Sequence, residues 1–267
     1  MTGQTPPQFA FEISPEPPDE ARTWLETVGV LALVIAILTA ATGVGSFAAA
    51  VIDWHVAIDM PQARPGGALE NFAAMRLAVF LAAFQLAILA LTCAAAHIFR
   101  GKPVAFLALS APRGLLATSL SFSALLITGA AVYAGVLLSF DQNSLLGDVR
   151  QLSEMLRTDV WWMIVLAAVV GAPIAEEFLF RGLMYGILRA SPFGKVAAAA
   201  ATAAVWASVH EHYSIYGIIG IALIGLYLAW VREKTGSLLA PIICHATYNA
   251  SVLFAMTVLS ERLAQSA

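Results

Sequence analysis

The chain has 267 residues, of which 60% are hydrophobic and only 12% are charged, with a formal net charge of −3. Soluble domains carry about a quarter charged residues, so this chain has too little polar surface to cover itself in water and is predicted to be an integral membrane protein. The small net charge and the lack of a basic cluster argue against a nucleic-acid partner.

The first 26 residues differ from the rest because they are rich in proline and carry five acids against one arginine. This composition predicts a disordered acidic tail over residues 1–26. The segment lacks the basic start and short apolar core of a cleaved signal peptide, so we expect it to stay in the protein.

Seven apolar runs follow the tail, and a membrane-spanning helix needs about 20 such residues. Pro241 in the last run is expected to bend it or to separate a short eighth piece. The sequence therefore predicts an all-α, polytopic membrane bundle of about seven to eight transmembrane helices. Residues 27–140 would hold three N-terminal helices and residues 160–259 the catalytic helices. The runs are 27–52, 72–99, 114–140, 160–188, 195–210, 214–231 and 237–259.

The Lys and Arg residues between the runs predict the orientation, because basic loops stay in the cytoplasm. With the N-terminus inside, eight of these residues fall on the cytoplasmic side and five on the other side. A cytoplasmic N-terminus is therefore favoured.

Two acids and an arginine interrupt the fourth run: Glu176, Glu177 and Arg181. Each ionisable group within a span costs about 2.5–3.5 kcal/mol on insertion scales, so its presence needs a reason. On a helix, Glu177 and Arg181 lie four positions apart in the order that favours an ion pair, whereas Glu176 is rotated by about 100°. A salt bridge that only ties helices together would explain the pair but not the second acid.

Further polar residues lie in the later runs. His210 follows Trp206 by four positions, and His245 and Asn249 are also four apart, so each pair shares a helix face. A carboxylate surrounded by lipid and helices has a raised proton affinity, which suits a general base. Glu176 with one imidazole is predicted to deprotonate a water, and an imidazole and a carboxamide on one face to stabilise the oxyanion of amide hydrolysis.

A zinc site is the competing interpretation, because two His and one Glu can bind zinc and leave a position open for water. Its ligands would be Glu176, His210 and His245. The helical His-Glu-x-x-His pattern is absent, and adjacent residues of the His-Glu-His run at 210–212 diverge by about 100° on a helix. Asn249 is also a poor zinc ligand. Hydrolysis without a cofactor is therefore favoured over zinc.

Three short elements resemble a known family when they are taken together. EEFLFRG contains Glu-Glu-x-x-x-Arg, WASVH matches Phe-x-x-x-His with Trp206 in place of the usual Phe, and GSLLAPIICHATYN contains His-x-x-x-Asn. In this order they resemble the CAAX prenyl protease and bacteriocin-processing family (CPBP, or Abi) of intramembrane proteases, over about residues 160–255. The resemblance implies about eight spans around a conical cavity that opens toward the cytosol and the bilayer.

The resemblance also implies a role for each matching residue. Glu176 would be the base and His210 would help it to polarise water. His245 and Asn249 would form the oxyanion hole. The supporting residues would be Glu177, Arg181 and Trp206.

The sequence therefore predicts an intramembrane endopeptidase of prokaryotic type, in the bacterial inner membrane, whose peptide or protein substrate enters from the cytosol or the bilayer. One alternative is a transporter or proton pathway, which also needs acids and histidines within the membrane. The near absence of charge in the first three runs argues against such a relay. The other alternative is a non-catalytic scaffold or immunity protein of the same fold, against which the complete set of Glu, two His and Asn argues.

Overall fold

The computed structural model describes residues 20–59 and 68–266, and these residues form helices with no strand among them. The predicted all-α polytopic bundle is therefore confirmed. Two segments are π-helical and are named π1 and π2. In chain order the elements are α1 (Glu20–Asp59), α2 (Ala68–Arg100), α3 (Pro103–Phe106), α4 (Leu115–Phe140), α5 (Gln142–Met155), α6 (Trp161–Leu166), π1 (Ala167–Gly171), α7 (Ala172–Glu176), π2 (Glu177–Met184), α8 (Tyr185–Leu188), α9 (Gly194–Ser208), α10 (Ile215–Thr235) and α11 (Leu239–Ser266).

Six helical segments of the described residues are long and apolar enough to cross a membrane. The predicted fifth span at 195–210 is not among these six. Helix α9 has only 15 residues, and its length of about 22 Å is short of a hydrocarbon core of roughly 30 Å. The six segments are Glu26–His55, Glu70–Ile98, Leu115–Phe140, Trp161–Leu188, Ile215–Thr235 and Leu239–Val258.

The last apolar run forms one continuous helix, α11, with no separate eighth piece at Pro241. Pro241 is the third residue of this helix. A proline is tolerated there because the N–H groups of the first turn have no intrahelical carbonyl to bond.

The fourth span, which contains Glu176, is continuous but alternates between α and π geometry. Pro173 lies at the start of α7, where its ring and its missing N–H interrupt regular α-helical bonding of the preceding turn. Side chains of two other helices bond carbonyls of π1: Gln85 Nε2 donates to Ala167 O at 3.1 Å and Asn249 Nδ2 donates to Ala168 O at 2.8 Å. Segments of π-helix within α-helices are frequent at functional sites.

Helix α5 lies between the third and fourth predicted runs, where no span was predicted, and it carries a cap and an amphipathic pattern. Asp141 accepts a hydrogen bond from Ser144 N at 3.2 Å, as an N-cap residue does. Asp148 accepts from the backbone N–H and the hydroxyl of Ser214, at 2.6 and 2.7 Å, and so fastens α5 to the start of α10. The apolar residues of α5 recur at about one-turn spacing, which favours a helix that packs by one face. They are Leu145, Val149 and Leu152.

The predicted acidic tail at 1–26 falls mostly outside the described residues, and α1 begins at Glu20. The division into an N-terminal part at 27–140 and a catalytic part at 160–259 stays a prediction. Both parts contribute to one packed core, in which Val34 and Ile88 of the first two helices are buried with Leu179 and Leu228.

Candidate active site

A buried ion pair joins Glu177 and Arg181 in π2. Both side chains are 0% exposed, and 2.9 Å separates Glu177 Oε1 from Arg181 Nη1, so the pair predicted from their spacing is confirmed. His245 Nδ1 of α11 lies 3.1 Å from the same carboxylate oxygen. Arg181 Nη2 donates to the carbonyl of Gly225 in α10 at 3.1 Å. One ion pair therefore links the fourth span to α10 and α11.

The adjacent acid, Glu176, has a different environment. Its side chain is only half-buried, and its Oε2 accepts a hydrogen bond of 2.7 Å from the indole Nε1 of Trp206 in α9. The structure thus separates the two acids: Glu177 is enclosed with its cation, whereas Glu176 keeps access to its surroundings.

His210 lies just beyond the end of α9 and is held against Trp206. Its Nδ1 is 2.8 Å from the Trp206 carbonyl oxygen, and the two rings meet edge to face with centroids 5.4 Å apart. Because a carbonyl only accepts, Nδ1 carries a proton, and in a neutral imidazole this leaves the lone pair on Nε2. His210 therefore contacts the same residue that donates a hydrogen bond to Glu176.

His245 and Asn249 both face the fourth span from α11, as their spacing predicts. His245 is 4% exposed and is directed at Glu177, as described above. One N–H of the Asn249 carboxamide donates to Ala168 O, which fixes the orientation of the amide and leaves its second N–H available. Helix α11 therefore presents an imidazole and a carboxamide to the fourth span. The imidazole contacts Glu177, which follows Glu176 in the chain, and the carboxamide contacts Ala168, which precedes it.

Three residues near the site were not predicted from the sequence. Tyr213 has its pKa raised by burial, with the carboxylates of Asp148 and Glu176 acting in the same direction, so its phenol is a neutral hydroxyl close to these acids. Its position three residues after His210 was an available signal. The sequence pattern gives no signal for Gln85 or Gly225, because their contacts depend on how separate helices pack.

Each of the three residues of the competing zinc interpretation has one polar atom engaged by another residue. Glu176 and His210 direct polar atoms at Trp206, whereas His245 directs its Nδ1 at Glu177. Within the part of the chain that the structure describes, no three His, Cys, Asp or Glu side chains are grouped so that they could hold a metal ion.

The comparisons with known proteins agree with the motifs. Residues 158–251 match the family model described as type II CAAX prenyl endopeptidase Rce1-like. The matched range contains Glu176 and Glu177, both site histidines and Asn249. Neither a search of curated proteins nor a search of solved structures found a match. The motifs of this integral membrane protein therefore lie in a region, residues 158–251, that matches the Rce1-like model of type II CAAX prenyl endopeptidases, and the predicted resemblance is confirmed.

Proposed function

We propose that the protein is an intramembrane endopeptidase that hydrolyses a peptide bond with a water activated by Glu176. The observation that supports this most directly is the contrast between the two adjacent acids. Glu177 is fully buried with Arg181, whereas Glu176 is half-buried and receives one hydrogen bond, on Oε2, from the described residues. Its second oxygen, Oε1, is therefore the atom that accepts a proton from water.

His210 assists Glu176 through the free lone pair on Nε2. Both residues contact the same indole, that of Trp206, so a water molecule between them would be held by two acceptors. As the water oxygen bonds to the carbonyl carbon of the substrate, its proton passes to Glu176 Oε1. The same proton then passes to the amine nitrogen, the C–N bond breaks, and Glu176 is again a carboxylate.

The oxyanion that forms on the substrate requires hydrogen-bond donors, and His245 and Asn249 supply them in this proposal. Because Nδ1 of His245 is directed at Glu177, Nε2 is the ring nitrogen that would donate to the oxyanion. The second N–H of Asn249 is the other donor.

The substrate is a peptide or a protein segment within the membrane or at its surface. This follows from the family of the domain, whose members are endopeptidases, and from the position of the acids midway along a membrane span. No cofactor has a part in the proposed steps. We place the protein in a bacterial inner membrane with a cytoplasmic N-terminus, where lipids surround it.

The test is cleavage of a quenched peptide library by the purified protein in detergent, with wild type beside Glu176→Gln and each with and without a strong chelator. Cleavage by wild type that the chelator leaves intact and that Glu176→Gln abolishes supports the proposal. Chelator-sensitive cleavage that returns with added zinc overturns the cofactor-free mechanism. Equal cleavage by the variant overturns the role of Glu176.

A further inference from the structure

Trp206 occupies the centre of the candidate site, although the motif it belongs to normally has Phe there. It is only 3% exposed, and its indole N–H donates to Glu176 Oε2 at 2.7 Å. This is a hydrogen bond between a neutral donor and a carboxylate, a type that is shorter and stronger than a bond between two neutral groups. A phenylalanine ring has no N–H and cannot make it.

Other site residues contact the ring of the indole. The guanidinium carbon of Arg181 lies 4.4 Å from the ring centroid, a cation–π distance. His210 and His245 each meet the ring edge to face, with centroids 5.4 Å away. Trp206 thus contacts the proposed base, both histidines and the guanidinium of the ion pair.

The helix behind the ring also restricts it. A Cβ atom placed on Gly225 of α10 would lie 3.0 Å from Cε3 of Trp206 and 2.9 Å from Cβ of Ala203. The ring is therefore packed against backbone on one side and against charged and aromatic groups on the others. Such packing fixes the direction of the N–H, and a donor fixed in advance orients its acceptor without further loss of conformational freedom.

From these contacts we infer that Trp206 is a positioning residue for Glu176: its N–H holds Oε2, fixes the rotation of the carboxylate and turns Oε1 toward the substrate water. The inference rests on the proposed function for its catalytic consequence, but the hydrogen bond itself does not depend on activity. The two can therefore be tested separately.

The hydrogen bond is tested with protein in detergent whose tryptophans carry ¹⁵N in the indole ring. The chain has six tryptophans, and Trp206→Phe identifies the resonance of residue 206 by its loss. Glu176→Gln replaces the carboxylate with a weaker acceptor of the same shape, so it should shift the Trp206 resonance. The control is Glu211→Gln, which changes an exposed acid close in sequence and should leave the Trp206 resonance in place. A Trp206 resonance that stays in place in Glu176→Gln would overturn the inference. If Trp206→Phe fails to fold, Trp→Phe variants of the other tryptophans identify the resonance by elimination.

The catalytic consequence is tested by the kinetics of Trp206→Phe on a peptide that the wild type cleaves. Loss of an orienting partner typically costs roughly 10- to 100-fold, and we expect that loss in kcat with little change in KM. The control is Trp230→Phe, since Trp230 is 41% exposed and packs on Phe122 instead, and it should keep the wild-type kcat. A folded Trp206→Phe enzyme with wild-type kcat overturns the positioning role. The proposed function would still be supported in that case if the wild type cleaves the peptide and Glu176→Gln does not.

Discussion

Nδ1 of His245 lies 3.1 Å from Oε1 of Glu177, although 68 positions of the chain separate the two residues. The same oxygen receives Nη1 of Arg181 at 2.9 Å, so one atom joins a histidine, a carboxylate and a guanidinium. All three side chains are buried. This arrangement makes Glu177 a structural anchor for a residue of the proposed oxyanion hole, and it gives Glu177 a role distinct from that of Glu176.

Arg181→Ala is expected to lower stability strongly, because it leaves the Glu177 carboxylate buried without its cation. Breaking a buried pair by removing one partner costs about 3–5 kcal/mol. The variant also removes the bond from Arg181 to the carbonyl of Gly225. Thermal unfolding of the purified protein in detergent measures this as a fall in Tm.

An exposed pair provides the comparison. Arg150 and Glu154 in α5 are 80% and 67% exposed and lie 3.9 Å apart, and such surface pairs contribute roughly 0–1 kcal/mol. Arg150→Ala should therefore leave the Tm nearly unchanged. If both arginine variants unfold at the wild-type temperature, the buried pair has no structural importance.

Glu176→Gln is expected to lower turnover by a factor of about 10²–10⁴, because an amide cannot accept the proton of water. Its oxygen can still accept from the Trp206 N–H, so the folded structure and the Tm should be retained. The measurement is kcat on a cleaved peptide, together with thermal unfolding. Glu154→Gln, which removes an exposed carboxylate of α5 that pairs with Arg150, is the matched variant and should retain full activity.

The sequence predicted the main features of the site because they are local. The spacing of Glu177 and Arg181 predicts their pairing on any helical segment, and the structure has that pair within a π-helix. The apolar runs predicted six of the long helices, since length and composition alone decide whether a helix can cross a membrane.

The features that could not be predicted depend on contacts between helices. Nothing in the pattern around Trp206 indicates that its N–H meets Glu176, 30 positions away. The geometry of π1 is supported by Pro173 and by the carbonyl bonds from Gln85 and Asn249, and these bonds require α2 and α11 to be in place. Helix α5 was not predicted because it is too polar to count among the apolar runs, although its apolar residues are at helical spacing.

Gly225→Ala is expected to destabilise the contact between α9 and α10. The added Cβ would lie 2.9 Å from Cβ and 3.1 Å from Cα of Ala203, and overpacking of this kind costs about 1–3 kcal/mol. Because the neighbouring atoms include backbone, the helices must move apart, and Trp206 must move with them. Tm and kcat should both fall.

Two further substitutions separate overpacking from a general effect of alanine. Gly129→Ala in α4 places a Cβ where no atom lies within 4 Å, so it should leave the Tm unchanged or raise it slightly. Ala203→Gly removes one of the crowded atoms and should restore part of the loss caused by Gly225→Ala. A Gly225→Ala protein that is as stable and active as wild type would contradict the close packing of the two helices.

The orientation of the bundle can be tested from two contacts at opposite ends of α10. Glu233 pairs with Arg189 at 3.0 Å and with Lys195 at 2.7 Å near one end, whereas Asp148 of α5 bonds Ser214 at the other. The 21 residues of α10 are about 31 Å long, which is enough to separate the two faces of a membrane.

With basic groups in the cytoplasm, the turn that contains exposed Pro192 should be cytoplasmic, and exposed Asn143 of α5 should face outward. We therefore expect a membrane-impermeant maleimide to label Asn143→Cys in intact cells and to label Pro192→Cys only after lysis, both in a chain whose Cys93 and Cys244 are replaced by Ser. The reverse pattern would place the N-terminus outside.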